Sequence, residues 1–393
     1  MKLAIMMRTI DQDGGLRVYV ERLIESMLTI DRINRYLLLY RTPKWLGRFA
    51  EHRNAEEQLV RAPHKLLWDQ VAVPYAAWRG GADVIFNPKF SVPLVSHCAV
   101  AMSLREPAWW AWREHYPGWN ARFMRLTIPL YVRRSIALFP ISEFVLSENR
   151  KYLSLDEDRV HVAYPAPDHQ FCIIEDQARL DQSRRKYGLP EHFIFTAARV
   201  HHPGIEETKS FFPGKNVETT VRAFAMLRDH IPHELVVAGY RVREYLAHVG
   251  VEEEYLHNVR FLDFVDHEDM PVLYNLAELF VIASFYESYA HALVEAMACG
   301  CPVVASTMGA CPEISGGGAL LADPNSPADF AAQMQRMLQD DDLAAELRAR
   351  GLARVREFSW ERAARTVLER LTEAVQGATQ GDKAKRISCG EGR

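Results

Sequence analysis

The chain has 393 residues, of which 48% are hydrophobic and 25% are charged, and its formal net charge is −4. This composition is typical of a folded globular protein, and the length predicts two domains rather than a single core. No run of eighteen apolar residues is present, which argues against a membrane-spanning helix. The six cysteines show neither zinc-binding spacing nor the framework of a secreted protein, so we expect the reducing environment of the cytoplasm.

The two halves of the chain differ in charge. Residues 1–174 contain 23 Lys and Arg against 18 Asp and Glu, whereas the remainder contains 24 against 33. This imbalance is too mild for a nucleic-acid-binding protein. It does indicate that the first half faces an anionic ligand.

The first half begins with a predicted strand at residues 2–7, a glycine turn and an amphipathic helix. Gly14 and Gly15 in that turn either let backbone amides approach a ligand phosphate or only form a tight turn. Further strands are predicted at residues 36–40, 83–86, 99–103, 136–141 and 160–164.

Four tryptophans lie within eleven positions, at Trp109, Trp110, Trp112 and Trp119. Aromatic faces stack on sugar rings, anchor at membrane interfaces or pack in a core, and the residue types leave all three open. Residues 120–134 are largely helical and carry Arg122, Arg125, Arg133 and Arg134. This stretch suits a membrane surface or a solvated helix face.

The second half repeats the alternation of strands and helices. A charged linker helix is predicted at residues 177–186, and helices at 291–299, 327–356 and 360–375. Strands are predicted at residues 193–197, 235–238, 259–262, 279–283, 301–306 and 320–322. Such alternation favours parallel sheets covered on both faces, and the polar tail from residue 377 is expected to be disordered.

Two glutamates organise the stretch of residues 279–306. Glu287 precedes the predicted helix, and Glu295 lies inside it. Because the start of a helix exposes free N–H groups, a phosphate there and the two carboxylates could together hold a sugar, a diphosphate and a ribose. The spacing alone favours a solvated pair on a surface helix.

The segment SFYESYAHALVEAMACGCPVVAS closely resembles the signature of retaining glycosyltransferase family 4. The resemblance implies the α/β GT-B fold, with two Rossmann-like domains facing across a cleft. It implies an acceptor domain over residues 1–170, to which the helix of residues 360–376 returns, and a donor domain over residues 185–358. Glu287 would contact the transferred sugar and Glu295 the donor ribose, with Tyr289, Ala290 and His291 completing the donor site.

The same resemblance assigns further residues to the donor. Arg199 and Lys215 would neutralise the diphosphate and the charge that grows on the leaving group. Gly14 and Gly15 would lie over the donor phosphates, and the segment around Val265 would meet the nucleobase.

The chain departs from the family at Ala198, which replaces a glycine, and in the longer loop of residues 201–213. The histidine pair in that loop, His201 and His202, has no further ligands at useful spacing.

A second departure follows the strand of residues 99–103, where the family usually has His-Asp. This chain has Arg105 and Glu106 instead. An Arg at this position could bind a hydroxyl, an acceptor carboxylate or a phosphate. We therefore name Arg105, Glu106, Trp109 and Trp110 as candidates for contacts with the acceptor or the sugar.

The resemblance implies transfer of a hexose from GDP-mannose or a UDP-sugar, with retained configuration, to a saccharide or lipid-linked acceptor in cell-surface polysaccharide or lipopolysaccharide synthesis. No metal cofactor is expected, since the three Asp-x-Asp strings are short and common in polar turns. We expect a cytoplasmic enzyme, at the inner face of the membrane, that does not bind nucleic acid. Two alternatives stay open, a catalytically silent nucleotide-sugar-binding subunit and a GT-B nucleotide-sugar epimerase. A dehydrogenase is disfavoured because no GxGxxG follows the first strand.

Overall fold

A computed structural model describes residues 1–12, 14–111, 113, 118–200 and 213–390, with the side chains of residues 120, 213 and 378–390 left out. The chain divides into two compact units. The first comprises Met1–Pro165 together with the C-terminal segment from Ser359, and the second comprises Ala166–Phe358.

The first unit is built on a six-stranded parallel sheet in the order β3-β2-β1-β4-β5-β6. Its strands are β1 (Lys2–Met6), β2 (Arg35–Tyr40), β3 (Ala55–Leu59), β4 (Val84–Asn87), β5 (Ala99–Leu104) and β6 (Ala137–Pro140). Its helices are α1 (Gly15–Ile30), α2 (Lys65–Leu67), α3 (Val73–Arg79), α4 (Ala108–Ala111), α5 (Trp119–Arg134), α6 (Glu143–Arg150) and the C-terminal α15 (Trp360–Gly390). Helix α15 packs on α1, where the rings of Trp360 and Tyr19 lie 5.9 Å apart.

The second unit has the equivalent parallel sheet, in the order β12-β11-β10-β7-β8-β9. Its strands are β7 (Phe193–Ala197), β8 (Glu234–Ala238), β9 (Val259–Leu262), β10 (Leu279–Ile282), β11 (Val303–Ser306) and β12 (Leu320–Ala322). Its helices are α7 (Gln177–Tyr187), α8 (Val217–Ala225), α9 (Val242–His248), α10 (Met270–Leu276), α11 (His291–Ala298), α12 (Cys311–Ser315), α13 (Pro327–Gln339) and α14 (Asp341–Val355).

Both sheets have the strand order of a Rossmann fold, in which the chain reverses its direction of winding next to the first strand. This reversal falls between β1 and β4 in the first unit and between β7 and β10 in the second. Ligands of open parallel sheets bind outside the carboxyl ends of the strands at that point. The loops after β7 and β10 are therefore where the fold places a ligand in the second unit.

Short apolar runs form the central strands because both faces of these sheets are covered. In the second unit Ile194, Val237 and Val281 are fully buried against Val221 and Phe224 of α8. No helix within the described residues is both long enough and apolar enough to cross a bilayer.

The structure corrects the sequence prediction in four places. Strand β3, at the edge of its sheet, has the sequence AEEQL and was not predicted, since it is half exposed and polar. Residues 160–164 form no strand. They lie beside β6 through a bridge between Val160 and Leu138 and a hydrogen bond from Ala163 N to Pro140 O at 2.8 Å, and Pro165, which has no N–H to donate, directly follows. The predicted helix of residues 327–356 is two helices, and the side chain of Asp340 caps the second. The backbone of α15 stays helical to Gly390, where a disordered tail was predicted, and no proline interrupts the helix after Trp360.

Candidate functional site

An ion pair between Lys215 and Glu287 forms the centre of the candidate site in the second unit. Lys215 Nζ donates a hydrogen bond to Glu287 Oε1 at 2.8 Å, and the buried Ser284 hydroxyl donates to the same oxygen at 2.7 Å. Lys215 lies on the connection from β7 to α8, and Ser284 and Glu287 lie on the loop after β10. The pair thus occupies the carboxyl edge of the sheet at the point where the winding reverses.

Asn216 fixes the position of Lys215. Its backbone adopts a left-handed conformation, with φ +45°, and its buried side-chain amide donates to the carbonyls of Ala283 at 2.9 Å and Pro324 at 2.8 Å. The backbone N–H of Phe285 donates to Gly214 O at 2.9 Å. The loops after β7, β10 and β12 are therefore tied together around the lysine.

Gly309 fixes Glu287 from the other side. It has φ +68°, and a Cβ there would lie only 2.6 Å from Glu287 N and 3.0 Å from Glu287 O. The next residue, Ala310, donates its backbone N–H to Glu287 O at 2.9 Å. Only a glycine allows this approach of the two backbones.

Glu295 lies on α11, which begins at His291 after Ala290 in a left-handed conformation with φ +58°. Burial raises the pKa of the Glu295 carboxyl to about 7, although the Tyr274 hydroxyl, which donates at 3.4 Å, and the charge of Lys215 act in the opposite direction. Burial raises the pKa of Tyr274 as well. Lys215, Glu287 and Glu295 are close enough that both carboxylates favour the charged lysine.

The remaining donor candidates occupy different environments. Tyr289 is buried, and its ring lies 4.9 Å from that of His291 and 5.7 Å from that of Phe358, so its side chain packs in the core. Arg199 is exposed on the coil that follows β7, and Val265 is half-buried in the loop after β9.

In the first unit, Gly14 has φ +87° and caps α1, whose first residue is Gly15. Arg105 is buried directly after β5, and the neighbouring Glu106 is half-buried. The two tryptophan candidates pack against the core of this unit, Trp109 at 4.5 Å from the ring of Phe90 and Trp110 stacked on Tyr152 at 6.0 Å. Trp119 is 77% exposed, whereas Trp112 lies outside the described residues.

The described residues include one cluster that could offer metal ligands, His192, His233 and Glu278. His192 Nδ1 is 2.6 Å from one carboxylate oxygen of Glu278, and His233 Nε2 is 2.8 Å from the other. These residues precede β7, β8 and β10, at the amino edge of the sheet and away from Lys215. The pair His201 and His202 lies outside the described residues.

Sequence reasoning missed four residues that shape the site, Ser284, Asn216, Gly309 and Tyr274. Asn216, Gly309 and Tyr274 each contact a residue on another segment, whereas Ser284 bonds to Glu287 within the loop after β10. The only local signals were the Lys-Asn dipeptide that opens a helix and a glycine after a buried strand, and neither names its partner.

Residues 208–354 match the family described as Glycosyl transferases group 1. O-antigen chain mannosyltransferase B of Escherichia coli is 38% identical over 295 residues, which cover 72% of this chain and 74% of that protein. Serotype-specific mannosyltransferase WbdA of E. coli is 29% identical over 262 residues, or 65% of this chain, but the match spans only 31% of the length of WbdA.

Solved structures share the fold. Anabaena HepE, in complex with UDP and glucose, has a TM-score of 0.71 at 16% identity, covering 95% of this chain and 100% of HepE. WaaG, a glycosyltransferase involved in lipopolysaccharide biosynthesis, has a TM-score of 0.65 at 14% identity, covering 93% and 98%. With two Rossmann-ordered sheets, the glutamate pair and this relationship to mannosyltransferase B, the chain belongs to the group 1 glycosyltransferases and has the GT-B fold.

Proposed function

We propose that the chain is a retaining, metal-independent hexosyltransferase that moves a hexose from a nucleoside diphosphate sugar to a saccharide or lipid-linked saccharide acceptor in cell-surface polysaccharide synthesis. The observation that carries this proposal is the Lys215–Glu287 ion pair at the carboxyl edge of β7 and β10, with Glu295 beside it. At this edge Lys215 can pair with a phosphate, and the two carboxylates, which belong to the family's signature segment, can accept hydrogen bonds from sugar hydroxyls.

Each residue has a role that follows from its charge. Glycosyl transfer places positive charge on the sugar ring and negative charge on the departing diphosphate. Lys215, the exposed Arg199 and the first turn of α11 supply positive potential for the diphosphate. Glu287 orients Lys215 and would accept a hydrogen bond from the transferred sugar, and Glu295 would accept from the ribose hydroxyls.

The names of the relatives favour mannose as the transferred sugar and O-antigen or lipopolysaccharide as the product class. We therefore propose GDP-mannose as the first donor to test. A UDP-sugar is the second, because the structurally similar HepE was solved with UDP and glucose.

A surface on α5 supports contact with a membrane. Trp119, Leu126 and Leu130 are 77%, 70% and 47% exposed and recur at helical spacing on one face. Arg122 and Arg133 are exposed on the same face. Aromatic and apolar side chains flanked by arginines suit an anionic bilayer surface, so we propose that the enzyme binds the inner face of the membrane peripherally.

The test is thermal stabilisation by UDP-, GDP-, ADP- and TDP-sugars in the presence of EDTA. A ligand at a hundred times its Kd should raise the free energy of unfolding by about 2.7 kcal/mol. One nucleotide should stabilise the protein, and Lys215→Ala and Glu295→Ala should abolish the effect. A shift that requires added Mg²⁺ would contradict the metal-independent site.

Turnover then separates transfer from the two alternatives. A transferase consumes the donor only when an acceptor saccharide is present and gives a product of unchanged anomeric configuration. An epimerase converts the donor without an acceptor. A silent subunit binds the donor without converting it. That result would indicate that replacing the family's His-Asp with Arg105 and Glu106 has abolished catalysis.

A further inference from the structure

Four basic residues follow four adjacent strands at the carboxyl edge of the first unit's sheet. Arg41 follows β2, Arg8 follows β1, Lys89 follows β4 and Arg105 follows β5. These strands are neighbours in the sheet order, so their ends meet at one edge. Lys65, at the start of α2, joins this row, since its pKa is influenced by both Arg8 and Arg41. We call these five residues the basic row.

The basic row is only partly neutralised. Arg8 Nε lies 3.3 Å from Asp69 Oδ1, and the Ser91 hydroxyl donates to Asp69 Oδ2 at 3.2 Å. Lys89 Nζ donates instead to a neutral group, Gln12 Oε1, at 3.0 Å. The carboxylate of Glu106 is close enough to raise the pKa of Lys89. Asp11 lies at the same edge, where its Oδ1 accepts a hydrogen bond from the Thr42 hydroxyl, beside Arg41, at 2.7 Å. Within the described residues, five cations thus share this edge with three carboxylates.

Arg105 is the most deeply buried member and has an unused donor. Its side chain is 8% exposed, and its guanidinium lies 4.9 Å from the ring of Tyr19. Asn149 holds the Arg105 backbone by donating to its carbonyl at 2.8 Å. Within the described residues Arg105 Nη1 has no hydrogen-bond partner. A buried charged donor left unpaired is costly, which favours a ligand that pairs with it.

The lowered pKa of Lys89 indicates how strongly the positive charges of the basic row repel one another. Burial, followed by the charges of Arg8, Lys65 and Arg105, lowers the Lys89 pKa to about 7, against a small opposing effect of Glu106. A bound anion would offset this repulsion and the burial cost together. A neutral sugar would offset neither.

We propose that the basic row binds a phosphate group carried by the acceptor, with Arg105 Nη1 and Lys89 Nζ as its principal donors. A phosphate monoester fits better than a carboxylate, because its two negative charges match the excess of the row and its three oxygens can accept from several cations. This inference rests on the proposed transferase function and assigns the chemical class of its acceptor. The phosphate comes either from a soluble sugar phosphate or from a lipid phosphate.

The experiment is calorimetric titration of the full chain with methyl phosphate and with n-octyl phosphate below its micelle concentration. Arg105→Gln and Lys89→Gln should each weaken binding at least about tenfold, the usual effect of losing one charge-assisted hydrogen bond. The matched control is Arg32→Gln, which removes an exposed charge just after α1, at the amino end of β2. It should leave affinity within about twofold.

The two ligands separate the sources of the phosphate. Tighter binding of octyl phosphate indicates a lipid-linked acceptor, and equal binding indicates a soluble one. Failure of the wild type to bind either, or equal weakening by Arg32→Gln, overturns the proposal.

The variant Lys89→Arg controls for misfolding. It keeps a positive charge at this position, and arginine does not lose its proton near neutral pH. Wild-type affinity for sulfate, which has a constant charge, should fall as pH rises above about 7, because Lys89 loses its proton. Lys89→Arg should bind sulfate with an affinity independent of pH over this range. A pH dependence that persists in Lys89→Arg contradicts the role of Lys89.

Donor binding distinguishes this inference from the function on which it rests. A nucleotide sugar should stabilise Arg105→Gln as much as the wild type. If no nucleotide sugar binds while methyl phosphate binding still depends on Arg105, the donor proposal fails and the anion site stands. If methyl phosphate binding is lost in Lys215→Ala but kept in Arg105→Gln, the anion occupies the donor site and the inference is wrong.

Discussion

Lys215 and Glu287, 72 residues apart in sequence, are joined by a hydrogen bond of 2.8 Å between Nζ and Oε1. The lysine side chain is 33% exposed and that of the glutamate 13%, so the lysine is the more accessible of the two. Burial alone would lower the Lys215 pKa, but the charge and hydrogen bond of Glu287 outweigh it and raise that pKa overall. The lysine is therefore cationic at neutral pH and available to a diphosphate.

Lys215→Ala should reduce the transfer rate by roughly 10²–10³-fold, the usual effect of removing one group that stabilises charge in a transition state. Steady-state kinetics with the identified donor measures it. The control is Lys151→Ala, which removes an exposed lysine that directly follows α6 in the first unit and pairs with Glu148. Comparable losses in both variants would show that net charge, not Lys215 itself, matters.

Gly309→Ala should displace Glu287, because the new Cβ would meet its backbone nitrogen at 2.6 Å. Gly317→Ala is a matched control, since Gly317 also has a positive φ, +83°, but open space around its Cβ position. Both should lose about 1 kcal/mol of stability from backbone strain. Only Gly309→Ala should also weaken donor binding, measured by titration. Equal donor affinities in the two variants would mean that Glu287 tolerates the displacement.

Asn216→Gly keeps the left-handed backbone but removes the two side-chain hydrogen bonds to Ala283 O and Pro324 O. We expect a loss of roughly 1–3 kcal/mol in the free energy of unfolding, measured by denaturant titration, together with weaker donor binding. Thr219→Val removes a single bond to the same Pro324 carbonyl and should cost less. If it costs as much, Asn216 does not act by joining the two loops.

Glu295 makes the stability depend on pH. Its pKa is raised by burial to about 7, so between its ordinary range and pH 7 the folded state holds a proton that the unfolded state has lost. The free energy of unfolding should therefore fall as pH rises through this window, by roughly 1–3 kcal/mol, and then level off. Glu295→Gln should lack this component in denaturant titrations between about pH 4 and 8. If the pH dependence of stability is the same in Glu295→Gln as in the wild type, it comes from another group.

Much of the fold could be predicted from the sequence. The buried central strands appear as short apolar runs, since covering both faces of a parallel sheet leaves no polar positions. Edge strand β3 could not be predicted this way, because AEEQL owes its extended form to pairing with β2. For residues 160–164 the prediction was wrong in the opposite sense. Their apolar run predicted a strand, but the segment forms only an isolated bridge beside β6.

The segment that contains Glu287 and Glu295, with its apolar flanks, was enough to indicate the family, and the sequence also located Lys215. How these residues are held depends on the tertiary structure. Asn216 bonds to residues of two other loops, and Gly309 leaves room for the backbone of Glu287. The side chain of Tyr289 packs in the core. The basic row likewise exists only where four strand ends meet. Each of these depends on which distant segments the sheet order brings together, and residue types in a linear chain do not specify that pairing.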